Sequence, residues 1–149
     1  MISVSRLASI VGLAGLIPFL FGLGMVLMSS AEMQSTAIQW FCVYSAGILV
    51  FLAGVYWPLG MQLERRNYPV SPVTLLILSQ VFFGCAAVGL LLPTAGTLIL
   101  YPLAYLGVLY VDYALLSEYW PNWYLRLRVA LTTVAAGCQL ITLGVLMVE

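Results

Sequence analysis

Histidine and lysine are both missing from this chain, and no stretch of it is densely charged. Without histidine it lacks the commonest metal and haem ligand and the usual general base near neutral pH. Its five basic residues are all arginines, and five acids bring the net charge to zero. No dense basic face is available to hold a nucleic acid. Charged residues make up 7% of the chain, against about 25% in soluble domains, too few to cover a water-soluble globule. The same scarcity excludes disorder, which needs polar and highly charged sequence. There is no P-loop, G-x-S-x-G, H-E-x-x-H or G-x-G-x-x-G pattern. Gly22-Leu23-Gly24 lies inside an apolar run and is followed by Met25, so it is no nucleotide loop. Cys42, Cys85 and Cys138 all fall in apolar runs and form no C-x-x-C pair. They read as small buried apolar residues rather than metal ligands or disulfide partners. The chain is expected not to be an enzyme, with no evident cofactor and no metal site.

What is present is apolar length. Hydrophobic residues make up 64% of the chain, and they gather in runs long enough to cross a hydrocarbon core of about 30 Å. Five spans are predicted, at about 7–28, 37–61, 73–92, 97–116 and 127–148, forming one transmembrane domain over 1–149. The first run is longer than a signal-peptide core of about 7–15 residues, so it reads as a retained span, kinked at Pro18. Residues 29–35 read as a short polar loop carrying Glu32. The most polar stretch, residues 62–72, holds Glu64, Arg65, Arg66, Pro69 and Pro72. Ser71 and Pro72 suit the N-cap and first position of the next helix. Residues 93–96 read as a tight turn. The loop at 117–124 is rich in Trp and Tyr, as suits the headgroup zone. Trp57, Trp120 and Trp123 are the expected interface aromatics, with Trp40 and Tyr56 also read as members of the belts.

Arginine counting sets direction. With five spans, Arg6, Arg65, Arg66, Arg126 and Arg128 all fall on one side and none on the other. Positive residues favour the cytoplasmic side, so the expected fold is an all-α polytopic helical bundle, N-in and C-out.

The segments Tyr44 to Gly60 (YSAGILVFLAGVYWPLG) and Trp123 to Val134 (WYLRLRVALTTV), with Gly15-Leu16-Ile17-Pro18-Phe19, resemble a bacterial and mitochondrial membrane family. It is the family of domain of unknown function 3429, whose animal member is transmembrane protein sixty-nine. The matching features are Tyr44, Phe51, Ala53-Gly54 and Tyr56-Trp57 in the second span, and Trp123-Tyr124 with Arg126 and Arg128 opening the last. Family members often carry Gly after the Trp, where this chain has Pro58. The resemblance implies a multi-pass helical bundle in a bacterial inner membrane and no particular activity.

Asp112 is the most informative single residue. A carboxylate near the end of the fourth span is costly unless paired or close to water. It is expected to pair with Arg126 or Arg128 across the short fourth loop; the alternative is a proton relay or cation site. Arg126 and Arg128 are two apart and point to different helix faces. Arg65 and Arg66 are expected in the headgroup layer, attracting anionic lipid. Gln39, Gln80 and Gln139 are expected to face other helices and bond across them, with quinone or pigment contact as the alternative. The pairs Ala8/Gly12 and Cys85/Gly89 permit close helix approach.

Three functional classes follow. The first is a non-catalytic accessory or assembly subunit of a larger inner-membrane complex. The spread of the resembling family would suit a respiratory or photosynthetic one, with membrane lipid and other subunits as partners. The second is a small oligomeric transporter or channel using Asp112. The third is a membrane enzyme acting on lipid or quinone, disfavoured by the lack of histidine and of a carboxylate cluster.

Overall fold

The computed structural model describes residues 3–66 and 68–148. Every regular element among them is an α-helix: α1 (Val4–Ala14), α2 (Ile17–Met28), α3 (Ala31–Leu63), α4 (Pro72–Leu91), α5 (Thr94–Ala114) and α6 (Asn122–Val148). Taking α1 and α2 as one stretch, five segments are long and apolar enough to cross a membrane.

The first span is not one kinked helix. α1 stops at Ala14 and α2 starts at Ile17. Pro18, in the first turn of α2, has no N–H to offer the carbonyl of Ala14, which frees that turn. The Tyr44 hydroxyl then donates to the Gly15 carbonyl at 2.7 Å, holding the break against α3.

The second span begins earlier than its hydropathy suggests. α3 starts at Ala31 rather than near residue 37, so most of the expected polar loop is helix. Ser30 takes the extended backbone of an N-cap residue, and Glu32 sits in the first turn, where an acid complements the positive helix end. Gln34 is buried and donates to the Val26 carbonyl of α2 at 3.0 Å. Hydropathy reports lipid exposure, and helix continues past the lipid wherever caps and contacts support it. At the other end Pro58 lies inside the helix, which runs on to Leu63. Its 33 residues are about 50 Å long at 1.5 Å per residue, longer than the hydrocarbon core.

α4 opens as its sequence implies, with Ser71 at the N-cap and Pro72 in the first turn, although the Ser71 side chain makes no capping bond. The expected turn at 93–96 shrinks to a short link at residues 92–93, because Thr94 already starts α5. Gly89 of α4 lies against the ring of Tyr101; a Cβ there would overlap that ring.

α3 is the central element, packed against α2, α4 and α5, while α6 lies on α5, α2 and α1. Leu49, Tyr56, Leu98, Tyr101 and Val108 fill the middle almost without exposure. Many bonds between helices run from a hydroxyl to a neighbour's backbone carbonyl: Ser79 to Ala53 at 2.8 Å, Tyr101 to Ala86 at 2.9 Å and Tyr105 to Ser45 at 2.8 Å. Phe19 meets Phe41, Tyr44 and Tyr105 edge-on, with centroids 5.6, 5.2 and 6.2 Å away. These edge-to-face contacts and carbonyl bonds supply directed attraction where lipid removes the hydrophobic drive between helices.

Candidate functional site: a buried charge cluster at the arginine end

Asp112 stands in the last turn of α5, and Arg128 lies two turns into α6. The short link at 115–121 folds α6 back beside α5, bringing the two side chains together. The Arg128 Nε donates to Asp112 Oδ2 at 2.8 Å. The other oxygen, Oδ1, accepts the Tyr56 hydroxyl at 3.0 Å and the Trp120 indole N–H at 3.2 Å. Tyr56 also reaches the Val108 carbonyl at 3.1 Å. Asp112 is 1% exposed and Arg128 5%, so one ion pair and two neutral donors lie together inside the bundle. Tyr124, one turn before Arg128, packs its ring 4.4 Å from that of Trp120. The salt contact is single and runs through Nε, not as a two-pronged fork.

Arg126 points outward and is exposed, so of the two candidate arginines only Arg128 meets Asp112. Arg65 and Arg66 are exposed beyond the end of α3. Beside them the loops draw together: Tyr119 donates to Gln62 at 3.1 Å, and Tyr68 meets Tyr119 edge-on at 6.5 Å. Burial, with Glu118 nearby, pushes the Tyr68 phenol above its ordinary value. The stretch at 62–72 and the loop after α5 therefore share one end of the bundle.

Of the tryptophans, Trp57 and Trp123 are partly exposed on the outer surface, whereas Trp120 turns inward as a donor to Asp112. The glutamines depart furthest from expectation. Gln39 and Gln80 lie on the outer surface instead of facing other helices. Gln139 does face the interior and is 0% exposed, yet among the described residues neither of its amide atoms has a hydrogen-bond partner. Sequence reading also missed Tyr56 as a cluster member, taking it for a belt aromatic beside Trp57. The signal available was helical spacing: Leu49, Ala53, Tyr56 and Leu59 share one buried stripe of α3, and an aromatic on such a stripe needs a partner for its hydroxyl.

Among the described residues, outward-facing grooves include two beside α3. One, about 580 Å³, lies between α2 and α3 and is lined by Phe21, Met25, Met33, Trp40 and Tyr44, with Glu32 among its residues. The other, about 390 Å³, lies between α3 and α4. Neither includes Asp112, Arg128, Tyr56 or Trp120. The cysteines are free thiols, Cys42 and Cys138 buried and Cys85 half-buried. No group of three or more metal-ligating side chains occurs among the described residues.

A family model described as "Protein of unknown function (DUF3429)" matches residues 4–144, all but the last turn of the helical region and including the cluster. The chain belongs to this family. No curated protein and no solved structure matches it. The DUF3429 match reaches all five spans, so the cluster and the α3 stripe that supplies Tyr56 both lie within the family's extent.

Proposed function

We propose that this DUF3429 protein is a non-catalytic accessory or assembly subunit of a larger energy-converting complex, respiratory or photosynthetic, in a bacterial inner membrane. Its arginine end faces the cytoplasm, and its carboxyl end, which lies outside the described residues, faces away. The observation that carries this reading is that the embedded charges are consumed within the chain. Asp112 has both oxygens bonded to Tyr56, Trp120 and Arg128 and is 1% exposed. A relay or ion site needs a carboxylate that substrate or water can reach. What the molecule offers its surroundings is an apolar flank, suited to lateral contact with other membrane subunits and with lipid at Arg65, Arg66 and Arg126.

Extraction of the tagged chain from its native membrane in gentle detergent tests this. Stoichiometric recovery of other membrane subunits is the expected result, and recovery of this chain free of any other protein would overturn it. Ion flux through purified protein in vesicles, lost in Asp112→Asn, would turn the reading to a small transporter. Reagent access to the amino end from the outside would overturn the orientation.

A further inference from the structure

Gln80 is the ninth residue of α4, about 12 Å along a helix whose 20 residues just cross the hydrocarbon core. Its side chain is exposed on the outer surface and makes no hydrogen bond among the described residues. It borders the groove between α3 and α4, with Trp57, Ile77 and Val81. Acyl chains at that depth offer a primary amide neither donors nor acceptors, so a partner with polar groups at the same level satisfies it. One turn on, Gly84 has open space where a Cβ would be, and Ala87 beyond it is exposed. Glycine inside a helix is unfavourable relative to alanine, and no internal neighbour requires it at this position. Open glycines also occur at 24, 47, 54, 137 and 144, and α3 carries an exposed glutamine too, but Gln39 stands beside Trp40 at the start of an apolar run, whereas Gln80 sits at mid-span one turn from its open glycine.

We propose that this face of α4 is the interface of a parallel homodimer, centred on Gln80 and Gly84. All copies insert with the same orientation, so a two-fold axis between two of them runs along the membrane normal. Identical residues beside that axis meet at identical depth. An amide both donates and accepts, so Gln80 is complementary to Gln80 of a second copy without any further design. A different protein would need a polar side chain placed at this one level. α4 carries no charged residue, so two copies meet no repulsion, and Gly84 with Ala87 lets the helix backbones approach. The dimer stands apart from the accessory reading, because it needs this chain alone.

The test is energy transfer between donor- and acceptor-labelled pure protein in phosphatidylcholine vesicles over a range of lipid-to-protein ratios. Transfer should persist on dilution for the parent chain. Gln80→Leu should weaken association about three- to tenfold, the range of hydrogen bonds between membrane helices, and Gln80→Asn should restore part of it. Gly84→Leu should weaken it as well, with helical circular dichroism unchanged in every variant. A parent chain that stays monomeric at all ratios would overturn the proposal. So would dimers that Gln80→Leu and Gly84→Leu leave intact.

Discussion

Asp112 and Gln80 both interrupt apolar spans, one in the last turn of α5 and the other in the middle of α4. The chain treats them in opposite ways. Around Asp112 it assembles a cation and two neutral donors from three other segments and seals the set from lipid. Around Gln80 it supplies nothing and leaves the amide on the surface beside an open glycine. A polar group inside hydrocarbon must be satisfied by something. Where the chain does this itself, the group contributes to the fold; an amide left on the outer surface is open to a partner from outside, as proposed for Gln80. Arg128 and Arg126 repeat the contrast two residues apart, one buried on a carboxylate and the other exposed on the outer surface.

The largest expected effect breaks the sealed cluster. Asp112→Ala leaves Arg128 buried without its counter-charge, and thermal unfolding in detergent should show a loss of about 3–5 kcal/mol. Arg126→Ala should stay within about 0.5 kcal/mol on the same assay, as outward-facing substitutions do. Equal losses from the two would erase the contrast between the inward and outward arginines. Tyr56→Phe removes one donor to a buried carboxylate and should lower stability by about 1.5–3 kcal/mol. Gln139 sharpens the comparison from the other side, because it is buried but not satisfied. Gln139→Met should raise stability by about 1–3 kcal/mol, the cost of leaving a buried polar group without partners; a loss would mean the amide has a partner in the membrane. Packing gives the finest comparison. Gly89→Ala forces a methyl into the Tyr101 ring and should lower stability by about 1–3 kcal/mol. Gly54→Ala, made into open space, should hold stability or raise it by up to about 1 kcal/mol through helix propensity.

The five spans are legible because the apolar runs are long and arginine punctuates one side only. The partnership of Asp112 with an arginine of the next span is legible too, because a short loop forces those two turns to be neighbours. Which arginine takes part is not: Arg126 and Arg128 differ only in helical phase, and phase acquires meaning once the packed side of α6 is known. Tyr56 and Trp120 stay hidden for a related reason. Aromatics near a span's end suit an interfacial belt and an inward hydrogen bond equally well, and the choice depends on how α3 and the loop after α5 rotate against α5. Gln39 and Gln80 show the same gap. Their polarity argues for an inward direction, yet the packing of α3 and α4 turns both outward.

Composition and run length by themselves determined that the chain is helical and crosses the membrane five times, because hydrocarbon accepts only segments that satisfy their own backbone. They also placed every guanidinium at alternate turns of the path. The tertiary structure alone decided the hold of Tyr44 on the Gly15 carbonyl, the early start of α3, and the closing of Tyr56, Trp120 and Arg128 around Asp112. Those depend on helix rotation and on contacts between residues distant in the chain, and hydropathy summed along a sequence carries no record of either.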